Sequence, residues 1–218
     1  MSRPSPIYLE IGSRRLFACS LEWPGLARSS KDEDGALAAL SDYVPRYAAV
    51  AGRAQVKFPL AQGYEWSVVQ RVPTHSGGAD FGTPTTVLEE DGAGWGTAEA
   101  KRIAALLAAS WDGLDEVVAA APEALRKGPR GGGRDRDAIV AHVAGAEQMY
   151  GRKMGLSLPV PAPGDRQVVL ANREAILEWC RTGGQNASRP SAWPPRYAAR
   201  RLIWHVLDHL WEIEDRSD

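Results

Sequence analysis

The chain is short of cysteine, of long apolar runs and of any excess charge, and each shortage removes a class of protein. Only Cys19 and Cys180 are present, far apart and outside any CxxC spacing, so a disulfide framework is not expected. No stretch is apolar for long enough to span a bilayer, and the opening MSRPSPIYLEIGSRR has no signal-peptide core. The sequon Asn186-Ala187-Ser188 therefore carries no glycosylation reading, and a cytoplasmic protein is expected. Lysine and arginine number 26 against 27 acidic residues, for a formal net charge of −1. That balance gives no bulk attraction to nucleic acid or to an anionic membrane, and neither is expected as a partner. What remains is an ordinary globular composition, 44% hydrophobic and 24% charged, in 218 residues. One large domain or two small ones would fit.

The pattern changes character near residue 95. Before it come short β-rich runs, PIYLEIG, RLFACSLEW and WSVVQRV, separated by proline and glycine. In the second of these, Phe17, Cys19 and Leu21 alternate with Ala18, Ser20 and Glu22. One helix is predicted from about Asp32, with acidic residues in its first turn and Leu37, Leu40 and Val44 on one side; Pro45 should kink it or begin a new turn. The Gly- and Thr-rich stretch 74–96 reads as loop and linker, with His75 exposed in it. After residue 95 four amphipathic helices are predicted, at about 98–125 with Thr97 as N-cap, 136–154 with Asp135 as N-cap, 166–181 and 195–216. The links between them are long for a simple up-down bundle, so crossovers are expected. The class is α+β, with a boundary between residues 93 and 94.

Two of the four histidines stand in the last helix, in RRLIWHVLDHLWEIEDR. His205 and His209 are four residues apart, about 40° round a helix, at the edge of the apolar arc of Leu202, Val206, Leu210 and Ile213. At this spacing two imidazoles can reach one metal ion. A third ligand is offered by the second helix, where Ile139, His142, Ala146 and Met149 form one stripe and His142 takes a core position. Small neighbours, Ala138, Ala141, Gly145 and Ala146, leave room beside the ring. Three neutral imidazoles leave a coordination position for water or substrate, as in a catalytic zinc site. The alternative is a polar core edge with no metal.

His142 on the second helix with His205-Val-Leu-Asp-His209 on the fourth resembles the DinB-like metal-binding bundle superfamily, over about residues 94–216. The resemblance implies a four-helix bundle with crossover connections, commonly dimeric, holding a divalent metal on the three histidines. Zinc or nickel comes first, with iron or manganese as alternatives. It further implies thiol-dependent transfer or isomerisation, with a low-molecular-weight thiol such as mycothiol, bacillithiol or glutathione and an electrophilic substrate as partners. The acidic LWEIEDR after the pair departs from relatives that carry another histidine or a Gly-rich end there. Residues 17–47 resemble the HicB-like fold: a strand, the Pro24-Gly25 turn, a short second strand, and a helix opened by DEDGALAAL. No DNA-binding module accompanies it, so residues 1–93 are read as a HicB-like interaction or packing domain. The rival reading makes the whole chain a non-catalytic regulator or scaffold.

Several other residues are weighed against this site. Glu212 shares the side of the histidine pair and ranks first among carboxylates that could orient a ring, ahead of Asp208 and of Glu147, which falls about 140° round its helix from His142. Cys180 is expected to be a buried, inert thiol. The segment RKGPRGGGRDR, residues 126–136, lacks phosphate-loop spacing and reads as a solvated linker or as a guide for an anionic ligand. Trp204 and Trp211 should be packed in the bundle, against the N-terminal half or at a dimer interface.

Overall fold

Alternating residues near the N-terminus build a sheet whose two central strands are buried on both faces. The computed structural model describes residues 4–74, 77–128, 132–185 and 187–217; His75 and Asn186 lie outside them. Strands β1 (Ser5–Ile11), β2 (Leu16–Ser20), β3 (Ala27–Ser30) and β4 (Trp66–Pro73) form one sheet in the order β3-β2-β1-β4. The first three pair antiparallel, and β4 runs parallel to β1 with a register shift at Ile7/Tyr8. Ile7, Leu9 and Ala18 on one face join a core with Leu40 and Tyr47, whereas Tyr8, Phe17 and Cys19 on the other join Trp204. Period-two alternation here separates two buried faces.

Between β2 and β3 the chain turns at Pro24-Gly25. Gly25 has φ +92°, and a Cβ there would lie 2.5 Å from Ile203 Cγ2, so the turn needs glycine for its backbone and for the helix above it. Helix α1 (Glu33–Asp42) starts at Asp32, whose carboxylate accepts from Gly35 N at 2.8 Å. Helix α2 (Val44–Arg53) carries Pro45 in its first turn, so proline begins a second helix and does not kink the first.

The stretch after β4 is loop broken by two short 3-10 turns, Ala79–Phe81 and Glu89–Gly92, and it is fastened at two carboxylates. Glu10, fully buried on β1, accepts from Thr74 Oγ1 at 2.6 Å, Thr85 N at 2.9 Å and Thr86 N at 3.0 Å. Asp80 accepts from the Ser13 hydroxyl and from the backbone N of Ser13, Arg14 and Arg15, which holds its carboxyl well below the usual range.

Four longer helices follow: α3 (Thr97–Ala120), α4 (Arg136–Lys153), α5 (Arg166–Arg181) and α6 (Pro195–Arg216). Three match the periodicity closely. The first ends at Ala120 and not near residue 125, because Pro122 disfavours helical backbone in the residue before it. Gly96, not Thr97, is its N-cap, while Asp135 does cap α4 but gives its carboxylate to Leu125 N and Lys127 Nζ. Both α5 and α6 pack against α3 and α4. No helix among the described residues is long and apolar enough to cross a membrane.

Helix α6 is shared between the two halves. Trp204 meets Phe17 edge-on at 6.0 Å, and Trp211 meets Tyr43 at 5.0 Å, so both tryptophans pack on the N-terminal half. Asp208 pairs with Arg28 at 2.7 Å. Deeper still, Arg200 forms a two-pronged pair with Asp91, which is completely buried; its Nη2 lies 2.8 Å from Oδ2. Removing one partner of such a pair strands the other charge in the interior. Asp91→Ala should therefore lower the unfolding free energy by about 3–5 kcal/mol in urea denaturation, whereas Arg53→Ala, which removes the solvent-exposed pair of Arg53 with Glu116, should change it by less than about 1 kcal/mol.

Candidate metal centre

His205 and His209 belong to a helix whose residues are buried almost throughout, from Tyr197 to Ile213. One flank, with Trp204 and Trp211, covers the N-terminal half. The flank with the histidines faces α4, and the two helices run antiparallel. Ala192 N and Trp193 N, just before α6, donate to Lys153 O at the end of α4, while Arg126 N, ahead of α4, donates to Arg216 O. This brings His142, two turns into α4, level with the pair on α6.

The three rings form a nearly regular triangle. Their centroids are 5.1 Å (His142–His205), 4.9 Å (His142–His209) and 4.7 Å (His205–His209) apart. The Nε2 atoms of His142 and His205 are separated by 3.2 Å, and one ring nitrogen from each of the three residues lies within 4.8 Å of the others. Two nitrogens at ~2.0–2.1 Å from a tetrahedral ion stand ~3.3 Å apart, so the shorter separation already suits a shared metal. Among the described residues this is the one group of three such side chains close enough to do so.

Burial favours the neutral form of two of the donors, His205 and His142. Burial is the largest cause that pushes His205 down to about 2, with His209 and Arg201 adding repulsion. His142, half-buried, is lowered by burial first, then by His209 and Arg134. Neutral imidazole is the form that ligates. His209 Nδ1 lies 2.8 Å from Glu212 Oε2, the expected geometry for Nδ1–H donating to a carboxylate and leaving Nε2 with its lone pair. Glu212 is itself bound by Arg216 at 2.5 Å and is lowered despite its burial, through His209 and then Arg216. Buried His205 Nδ1 has no hydrogen-bond partner among the described residues. A donor set of three imidazoles, one already backed by a carboxylate, fits a divalent metal of the zinc type.

The other expectations divide cleanly. Glu212 sits behind His209 as its helical position implied, whereas Asp208 is committed to Arg28. Glu147 is buried elsewhere in the helical core, where it accepts from Trp111 Nε1 at 2.6 Å and Arg173 Nε at 3.2 Å; burial raises its carboxyl against the pull of Arg173. Cys180 and Cys19 are both free and buried, and burial pushes each thiol up to about 12. Met149 is a correction. It is 51% exposed, since the buried stripe of α4 runs through Ile139, Val143, Ala146 and Tyr150, and His142 stands at the edge of that stripe. The segment 126–136 is less free than a solvated linker, because its described residues are tied to the end of α6 by Arg126 and Arg216 backbone and side-chain bonds. Two neighbours escaped the sequence reading: Tyr150, whose ring meets His205 edge-on at 5.4 Å, and Arg201, whose guanidinium lies 5.1 Å from the Tyr150 ring centroid. Their positions, two turns after His142 and one turn before His205, were the available signal.

The lowered histidines give a pH signature in metal-free protein. Below about pH 6.5 the unfolded chain protonates residue 205 and the folded chain does not, so the unfolded state binds more protons and stability falls with falling pH. The loss should continue from pH 6.5 toward about 2, at no more than about 1.4 kcal/mol per pH unit for His205. Urea unfolding of chelator-treated protein between pH 7 and 5 measures this slope, and His205→Gln should flatten it.

Comparison with protein-family models, with curated proteins and with solved structures finds no match to this chain.

Proposed function

We propose that this chain is a DinB-like metal protein in which His142, His205 and His209 hold one divalent ion, zinc or nickel before iron or manganese. The observation that carries the reading is the convergence of three largely dry imidazoles, from two antiparallel helices, on a single point. The ring of neighbours α3-α6-α4-α5 suits a four-helix bundle with crossover connections, since successive helices α3 and α4 stand across it. The strand, Pro-Gly turn, strand and acid-opened helix of residues 16–42 likewise suit a HicB-like unit.

Such an ion supplies Lewis acidity, which lowers the pKa of a thiol or water bound to it. The chain's own residues do the rest. Helices α4 and α6 hold the ligands, Tyr150 and the surrounding core restrict water, and Glu212 fixes the His209 tautomer. Neither cysteine can serve as the nucleophile, because burial keeps both thiols protonated at neutral pH. A thiol for transfer or isomerisation would thus be a small molecule, acting on an electrophilic substrate. One observation favours the rival reading as a regulator or scaffold: β4 forms a sheet edge and exposes Val69 at 50%, a surface on which a partner strand could pair.

Elemental analysis separates the two. Protein purified without chelator should carry about one divalent ion per chain, and the His205→Ala, His209→Ala double variant should carry none while keeping its helical circular dichroism. Glu212→Gln should weaken metal affinity by about 10–100-fold. Folded wild-type protein that stays metal-free after incubation with zinc and nickel would overturn the reading. With metal bound, a panel of mycothiol, bacillithiol and glutathione against an electrophilic acceptor tests the thiol chemistry, and activity should vanish in the double variant.

A further inference from the structure

Where the N-terminal half meets the helices, a cleft of about 310 Å³ opens between α3, α6, the β2–β3 turn and the loop ahead of α3. Residues 99, 102 and 103 of α3 and 196, 199 and 200 of α6 line it, each trio on one helix face. Its surface is mostly apolar, from Leu21, Pro24, Ala93, Ile103 and Ala199. A mostly apolar cleft at a junction, with a few polar groups, is the usual form of a small-molecule site. This one lies at the lower end of the ~300–1,000 Å³ such sites span.

The charged residues of the cleft show what it can hold. Arg200 is spent on Asp91, and Arg196 on Glu99 and on the Ala93 and Gly94 carbonyls. Arg102 and Glu90 remain. Arg102 has no hydrogen bond and no ion pair among the described residues, and none of its nitrogens is among the sealed, unsatisfied donors of the interior. It is half-buried, with its guanidinium carbon 5.1 Å from the ring centroid of Trp23, the residue before Pro24. An aromatic ring there steadies the guanidinium, while its donors stay within reach of a ligand. Glu90 is exposed and accepts at 2.8 Å from Gln70 Nε2, a neutral group that leaves its charge in place.

We propose that this cleft binds a small monocarboxylate with an apolar body, its carboxylate on Arg102 and its body against Leu21, Pro24, Ile103 and Ala199. A guanidinium fork matches the two oxygens of a carboxylate. The single charge follows from the single uncommitted cation, since Glu90 and the paired Asp91 and Glu99 disfavour a phosphate or other polyanion. The apolar body follows from the walls, which a wholly polar ligand would dehydrate without return. This inference does not depend on the histidines holding a metal.

Phenylacetate is the probe, and phenylacetamide, of the same shape without the charge, is its control. Full-length nitrogen-15-labelled protein is treated with chelator first, so that no carboxylate can reach an ion at the histidines. Phenylacetate should give saturable chemical-shift changes at Arg102 Nε and at the amides of residues 90–93 and 196–200. The Kd should be about 5 mM or tighter, the range that a ligand of about ten heavy atoms supports. Phenylacetamide should bind roughly ten-fold or more weakly, and Arg102→Gln should weaken phenylacetate by a similar factor. Glu90→Gln, at an exposed position, should act in the opposite direction and tighten phenylacetate by up to about five-fold. Metal-loaded protein should show the same shifts at the cleft. Equal affinity for the acid and the amide, or no saturable shift at the cleft in wild type, would overturn the proposal whether or not the arginine variant folds.

Discussion

Almost every turn of α6 is buried, and that one constraint decides where the rest of the protein can go. A helix enclosed on several sides has no solvated face on which to place polar residues, so each of its charged or polar groups needs a named partner. Asp208 finds Arg28, Arg200 finds Asp91, Glu212 finds His209 and Arg216. The sheet and α1–α2 close over one flank through Trp204 and Trp211, and α3 and α4 close over others. Two imidazoles in such a helix are expensive unless they are used. The protein around them offers a single carboxylate behind one ring and no partner among the described residues for the Nδ1 of the other.

That setting suits ligation better than acid–base catalysis. A general acid or base working at neutral pH needs a pKa near 7, and burial carries His205 far below that. A metal ligand needs a neutral ring, a fixed tautomer and a rigid mount, which are what burial, Glu212 and two packed helices supply. The same enclosure that disables His205 as a base also silences the two cysteines. The chemistry proposed here therefore depends on what binds at the triad, while the chain positions and dehydrates it.

Much of this was legible in local pattern. Helix periodicity located α4, α5 and α6 to within a residue or two, and the i, i+4 spacing plus one histidine on another helix named the triad that the fold brings together. Glu212 was readable from its angle on the helix. What failed or stayed open was decided by distant partners. Met149 continued a stripe that the packing does not use. The ends of α3 were set by Gly96 and Pro122, weak signals beside a strong apolar run. The Gly- and Thr-rich stretch looked like a linker because nothing local reveals that Glu10 and Asp80 hold it down. Trp204 and Trp211 could be seen to need a cover, but only the fold identifies that cover as the N-terminal half. Arg201 has no sequence signature except its place one turn before His205.

Sharing of one ion by three imidazoles from two helices is what the proposed function requires of the fold. X-ray absorption at the zinc edge tests it most directly, on protein loaded with one equivalent of zinc. The expected spectrum shows light atoms at ~2.0–2.1 Å with multiple scattering from three imidazoles, falling to two in His142→Ala. A spectrum of oxygen neighbours without imidazole scattering, unchanged in that variant, would contradict it.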